Sequence, residues 1–300
     1  MSTRIKVLPQ YLLPKRALTA FAGKVANAKS RTRVTRLIRW FVGRYDVNMA
    51  EAQNPDVASY ASFNDFFTRS LRIDARPLAS ADFVSPVDGA ISQFGAIQDD
   101  QIFQAKGHHY STSALLGGDE VLAQKFNDGC FATLYLSPKD YHRIHMPCDG
   151  VLTRMIYVPG ALFSVNPTTA RGVPGLFARN ERVVCVFDSE HGSFALVLVG
   201  ATIVGSMATV WHGVVNPPRE NEIRTWDYPP VTAVGATVTA SVTATRLRKG
   251  DEMGRFLLGS TVVMLFPKNT LTFNPAWQAE GVIRMGAAMG SCAGAAALAS

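Results

Sequence analysis

Residues 192–211 read Gly-Ser-Phe-Ala-Leu-Val-Leu-Val-Gly-Ala-Thr-Ile-Val-Gly-Ser-Met-Ala-Thr-Val-Trp, twenty residues without a charge. A stretch of that length matches a membrane-spanning helix. Against that reading, Gly192, Gly200 and Gly205 interrupt it, and Val, Ile and Thr dominate its composition. Glycine weakens a helix, whereas β-branched residues suit a pleated surface. The segment is therefore expected to form two buried strands with a turn between them. The same texture begins at Phe83. Short runs of Val, Ile, Phe and Thr are punctuated by Gly89, Gly150, Gly160, Pro217-Pro218, Pro229-Pro230 and Gly250. Regular turn signals of this kind predict a mainly antiparallel β domain, with one helix or helical turn over residues 111–127. No internal repeat is visible.

Upstream of that domain the periodicity changes. In residues 31–45, Val34, Leu37, Ile38, Phe41 and Tyr45 recur at three- and four-residue steps, with Arg33, Arg36 and Arg44 on the other side. Such a helix either packs its apolar face on the protein core or lays it into a membrane interface. Residues 5–22, with Leu12, Leu13, Leu18 and Phe21, form a second apolar and basic stretch and favour the membrane. Ser62 is expected to cap a further helix, paired with Asp65 three residues on. The fold class is thus α+β: a helical, membrane-associating region over 1–78, a β domain over 79–285 and an Ala/Gly-rich mobile tail over 286–300.

The charge follows this division. The chain has 300 residues, 47% of them hydrophobic, which allows a substantial core. Residues 1–45 contain eleven Lys or Arg and no Asp or Glu, so the net charge of +7 comes from this arm. A basic arm suits an anionic membrane surface or nucleic acid, and its apolar face selects the membrane. Cys130, Cys148, Cys185 and Cys292 show no paired spacing, so a disulfide framework is not expected. The early prolines and repeated basic residues do not fit a signal peptide.

A third stretch concerns chemistry. Residues 256–266 read Phe-Leu-Leu-Gly-Ser-Thr-Val-Val-Met-Leu-Phe, an uncharged run with a Gly-Ser-Thr step near its middle. By itself this fits a β-bulge with a hydrogen-bonded serine. Two more blocks alter the balance: Val84-Ser-Pro-Val-Asp-Gly-Ala-Ile91 and Tyr135-Leu-Ser-Pro-Lys-Asp-Tyr-His-Arg-Ile-His-Met-Pro-Cys-Asp-Gly150. Together with Phe63–Phe67, Lys106-Gly107-His108, Phe163–Asn166, Phe177–Arg182 and Gly254-Arg255-Phe256, they resemble the bacterial-type phosphatidylserine decarboxylase proenzymes. The resemblance runs from about residue 5 to about residue 268.

The resemblance implies a self-processing lyase that converts phosphatidylserine to phosphatidylethanolamine and carbon dioxide. Removing the carboxyl group of an α-amino acid requires an electron sink. In this family the sink is a covalent pyruvoyl group that engages the substrate as a Schiff base. Here it would derive from Ser260 by attack of its hydroxyl on the Gly259 carbonyl, leaving a large chain 1–259 and a small chain 260–300 that stay associated. Carried over residue by residue, His145 is the base for that attack and Asp88 its orienting carboxylate. His142 serves proton transfer in decarboxylation. No metal and no nucleic acid are expected, and there is room for a homodimer of the processed pair. The expected location is peripheral, on the cytoplasmic side of the cell membrane.

Two rival readings use the same residues. His142, His145 and Cys148 are spaced as possible zinc ligands, although Pro147 breaks any helix that would align them. A non-catalytic membrane-binding β module would leave Gly259-Ser260 as a bulge. His191 and His212 adjoin glycines and read as turn residues, while His108 and His109 are candidates for lining a head-group path.

Overall fold

Thr261–Phe266 is buried at every position and hydrogen-bonded along both edges. The structure, a computed structural model, describes residues 7–203, 206–217, 219, 221–228, 245–259 and 261–293. Among these, nine strands form one large sheet: β1 (Gly89–Ala96), β2 (Cys130–Tyr135), β3 (Gly150–Val158), β4 (Arg182–Ser189), β5 (Gly192–Val199), β6 (Arg224–Asp227), β7 (Arg246–Leu247), β8 (Thr261–Phe266) and β9 (Val282–Ile283). Their order is β6-β3-β4-β5-β8-β2-β1-β9, with β7 also paired to β3. Every pairing is antiparallel, as expected.

Side chains alternate across this sheet. Val263 and Leu265 of β8 join one hydrophobic core, whereas Val262, Met264 and Phe266 join another. Strands covered on both faces read as continuous apolar runs, which explains why residues 192–199 and 256–266 lack charge. One face is covered by helices. The other is covered by a four-stranded sheet (Gly213–Val214, Met207–Thr209, Glu252–Phe256, Arg143–His145) and a three-stranded sheet (Phe83–Val84, Ala288–Cys292, Leu271–Phe273). The two strands expected within residues 192–211 are present, but in different sheets: β5 lies in the large one and Met207–Thr209 in the four-stranded one.

The N-terminal helices are α1 (Pro9–Leu12), α2 (Lys15–Asn27), α3 (Arg31–Tyr45) and α4 (Phe63–Phe67). Ser62 caps α4 by accepting from the Asp65 amide at 3.1 Å, and Asp65 returns the bond one residue earlier, to the Ala61 amide at 2.9 Å. The expected membrane face of α3 requires correction. Val34, Ile38 and Phe41 are buried in the helical core, and the Phe41 ring stands 5.0 Å from Phe63 and 6.0 Å from Phe67. Burying each such side chain contributes on the order of 1.5–3 kcal/mol. Lipid offers this face of α3 nothing that the core does not already provide. In the helical region the exposed apolar side chains lie on α1, on α2 and at Trp40 of α3, away from that face: Leu12, Phe21 and Trp40 are 86%, 68% and 59% exposed.

Two further expectations change. Residues 111–127 hold two short helices, Thr112–Leu115 and Glu120–Gln124, because Gly117 and Gly118 both adopt left-handed φ between them. The tail expected to be mobile from Gly286 is ordered in its first half. Ala288–Cys292 pairs with Phe83–Val84 on one side and Leu271–Phe273 on the other, and Met289 is fully buried. Residues 294–300 lie outside the described residues. No described helix is long and apolar enough to cross a membrane.

Candidate active site

The chain approaches β8 from the four-stranded sheet. Phe256 donates its amide to the His142 carbonyl at 3.0 Å, and Leu257 donates to the Ser206 carbonyl at 3.0 Å. Leu258 then takes φ 94°, a conformation that a side-chain-bearing residue adopts only under strain. Gly259 follows, and Thr261 opens β8 opposite Tyr135 and Val199. The Gly259–Ser260 step therefore directly precedes a strand that is buried at every position. Ser260 itself lies outside the described residues.

Gly259 faces His142. A methyl group added at Gly259 would meet His142 Nε2 at 3.3 Å, with Leu136 O and Phe67 Cζ at 3.9 Å. The His142 ring is fully buried, its centroid 4.0 Å from that of Phe67 on α4. Its Nδ1 lies 2.8 Å from the Asp140 carbonyl, which fixes Nδ1 as the protonated nitrogen. The lone pair on Nε2 has no hydrogen-bond partner among the described residues. Burial holds the pKa of His142 down to about 3, against a smaller opposing effect of the Asp140 carbonyl bond, with nearby Arg69 lowering it further. The ring is a neutral base whose unprotonated nitrogen is directed at the Gly259 backbone.

His145 is bound differently. Its Nδ1 donates to the Gly250 carbonyl at 2.7 Å, and its Nε2 accepts from the Tyr141 hydroxyl at 3.0 Å. Burial lowers its pKa as well. Desolvation also pushes the Tyr141 phenol up to about 12, so the hydroxyl remains a donor at neutral pH. Asp88 is not bonded to His145. Its carboxylate accepts from Arg76 Nε at 2.9 Å and from the Met285 amide at 2.9 Å, and Arg76 reaches on to Glu51 at 2.7 Å. The expected direct Asp88–His145 contact is absent because each group is already satisfied by another partner.

Three participants went unrecognised in the sequence. Tyr141 and Asp140 adjoin His142 in the quoted block, so proximity was the available signal. Burial raises the Asp140 carboxyl above the usual range, and Asp88 nearby adds to that rise. Arg76 carried no signal, since its partner lies twelve residues away across irregular chain. His142, His145 and Cys148 are not grouped as metal ligands: His142 lies against Phe67, both nitrogens of His145 are bonded to Tyr141 and Gly250, and Cys148 is buried in the core with Ile144 and Met146. No three His, Cys, Asp or Glu side chains among the described residues are grouped to hold a metal. His191 and His212 are in turns, as expected, and His109 is exposed against Phe103.

A cavity of about 240 Å³ adjoins Gly259, lined by Phe41, Phe67, Tyr135, Ser164, Ile203 and Leu258 among others. Its walls are mostly apolar, with a few hydroxyls. The His142 Nε2 stands beside Gly259 at one end of this cavity.

Comparison with known proteins adds the following. Residues 63–291 match the protein-family model described as phosphatidylserine decarboxylase, and residues 5–46 match one described as PSD. The chain is 70% identical over 291 residues to the phosphatidylserine decarboxylase proenzyme of Dechloromonas aromatica (strain RCB), covering 97% of this chain and 99% of that protein. It is likewise 70% identical to the proenzyme of that name from Albidiferax ferrireducens, covering 96% and 98%. The one from Azoarcus sp. (strain BH72) is 68% identical, covering 97% and 96%.

Proposed function

The chain belongs to the phosphatidylserine decarboxylase family, and from that premise we propose that Ser260 is both its self-cleavage point and the source of a pyruvoyl group. The reaction is the conversion of phosphatidylserine to phosphatidylethanolamine with release of carbon dioxide. The pyruvoyl carbonyl supplies the electron sink that allows the substrate's carboxyl group to leave. What this chain's own residues do follows from their surroundings.

In self-processing, Ser260 Oγ attacks the Gly259 carbonyl carbon while its proton passes to His142 Nε2. The peptide C–N bond breaks, an ester forms, and the freed amine takes a proton back from the imidazole. Loss of the Cα proton then expels the Gly259 carboxylate, and addition of water with release of ammonia completes the new N-terminus. A neutral histidine with an unshared Nε2 suits the first transfer, since a serine hydroxyl is a poor nucleophile without a base. This gives His142 the step that the family resemblance gave to His145. His145 and Asp88 act as positioning residues. The Tyr141–His145–Gly250 chain and the Asp88–Arg76–Glu51 cluster hold the segments flanking His142. In turnover, the same neutral His142 beside Gly259 is assigned the proton exchange with the reacting carbon.

The observation that carries this reading is His142 Nε2, without a hydrogen-bond partner among the described residues and 3.3 Å from the Cβ position of Gly259. The two products would remain associated, because β8 begins at Thr261 and is bonded to β5 and β2 of the larger piece. The membrane surface is proposed to be met by the exposed apolar side chains of α1, α2 and Trp40 together with the basic arm, peripherally and from the cytoplasmic side. Intact-mass measurement of the purified protein tests the whole: two chains with a blocked N-terminus on the smaller are expected. Ser260→Ala should remain one chain that releases no carbon dioxide. Two-chain processing of Ser260→Ala would refute the assignment.

A further inference from the structure

A second cavity, about 550 Å³, lies between α2 and the segment around Ile203 and Leu257. Ile203 belongs to its lining and also to that of the cavity beside Gly259. This residue has unusual backbone geometry: a β-branched side chain at φ 72°, half exposed, with its amide donated to Thr19 Oγ1 of α2 at 3.1 Å. Such a conformation is held only where its surroundings enforce it. Ile203 is thus a wall pinned between two spaces, with the reacting step in one of them.

The chemistry of α2 is divided in the same direction. Ala20, Gly23 and Asn27 line the larger cavity and recur at helical spacing, so that side of the helix leaves room. Leu18, Phe21 and Val25 recur on its outer side, exposed. The helix therefore separates the cavity from the apolar surface assigned above to the bilayer. Lys24 also lines the cavity and has no carboxylate partner among the described residues. A ligand that extends from the reacting step past Ile203 would leave a mostly apolar cavity with a few hydroxyls and enter a second, larger apolar space with a cation on its wall. The acyl chain is the part of a serine phospholipid that is long and apolar enough to fill that second space.

We propose that this cavity is the acyl-chain subsite and that Ile203 divides it from the head-group space, making Ile203 and Gly23 determinants of lipid-length specificity. The inference rests on the decarboxylase reading and deepens it. A Cβ built at Gly23 meets no atom within 4 Å, and Gly23→Phe would occupy the cavity while replacing a poor helix former by a better one. Gly43→Phe, at another helical glycine with equally open surroundings, is the matched control.

The experiment compares turnover of dihexanoyl and dioleoyl phosphatidylserine in the same detergent. For Gly23→Phe, kcat/KM for the dioleoyl lipid should fall at least five-fold relative to the dihexanoyl lipid, with normal self-cleavage on a gel. Gly43→Phe should leave the ratio unchanged. A binding readout runs alongside. The uncleavable Ser260→Ala chain should bind dioctanoyl phosphatidylserine at least five-fold more weakly once Gly23→Phe is added. Equal loss on both lipids, or none, with unchanged binding, overturns the subsite while leaving the decarboxylase reading intact. If the unsubstituted protein releases carbon dioxide from neither lipid, that reading fails and the subsite fails with it.

Discussion

His142 concentrates the chemistry of this chain at one nitrogen. A buried imidazole would ordinarily use both nitrogens, and leaving one unpaired costs about 1–3 kcal/mol. Among the described residues that expense falls at Nε2, against Gly259, and nowhere on His145. His142→Ala should therefore accumulate as an uncut precursor, visible as a single band. A His142→Ala protein that matures normally while His145→Ala stays uncut would return the base to His145. The same burial links the ring to pH. The unfolded chain takes up this proton near pH 6.5, the folded chain only near 3. Between those values the unfolded state binds more protons, so stability is full above about pH 6.5 and declines toward pH 3, by up to about 1.4 kcal/mol per unit for one histidine. His145 acts in the same direction. In urea unfolding of the Ser260→Ala chain between pH 6.5 and 4.5, His142→Gln should flatten the slope by about one proton. An unchanged slope would mean that His142 is not held neutral.

At the scale of elements, α4 links the arm to the site. This five-residue helix is too short to persist without its cap and its packing. Its Phe67 lies against His142 at a tilt, and Phe63 and Phe66 meet Phe41 of α3. Ser62→Ala removes the cap and should cost about 1 kcal/mol in the unfolding of the single-chain Ser260→Ala protein. On the cleavable background the same change should slow self-processing, because the ring that supports His142 loosens. Normal processing despite the stability loss would separate α4 from the site. These elements also mark how far sequence reading reached. The Ser62 cap, the α3 stripe and the strands of the sheet announce themselves through local spacing. What the α3 stripe packs against is a long-range fact: periodicity says that a face is buried, not whether lipid or Phe63 covers it. The site divides in the same way. Asp88, His142, His145 and Gly259 stand in recognisable blocks, whereas the Asp88–Arg76 pair and the pairing of His145 with Gly250 arise only when distant segments meet. The pairing of Ala288–Cys292 with Phe83–Val84 and Leu271–Phe273 is not legible in an Ala/Gly-rich composition, which does not record a backbone partner far away in the chain.

For the whole molecule, the question is which surface meets the bilayer. The eleven basic residues of the arm supply attraction to anionic lipid, each on the order of 1 kcal/mol near the surface, and salt weakens it as the screening length shrinks from about 10 Å at 0.1 M to about 3 Å at 1 M. Insertion needs apolar area that is still free. Leu12, Phe21 and Trp40 have it, whereas Ile38 has none. Replacing Leu12, Phe21 and Trp40 together by Ser should reduce sedimentation with phosphatidylserine-containing vesicles at least ten-fold and leave self-cleavage unchanged. Ile38→Ala should do the reverse, with vesicle binding per folded molecule retained and about 2–5 kcal/mol of stability lost from an emptied core position. Removing residues 1–45 outright would confound the two effects, because it strips a lipid-facing surface and part of the core together. Raising salt should weaken binding of the triple variant more steeply than that of the unsubstituted protein, since charge is then the only attraction left. If the triple variant sediments as fully as the unsubstituted protein at both low and high salt, the membrane contact lies on another surface.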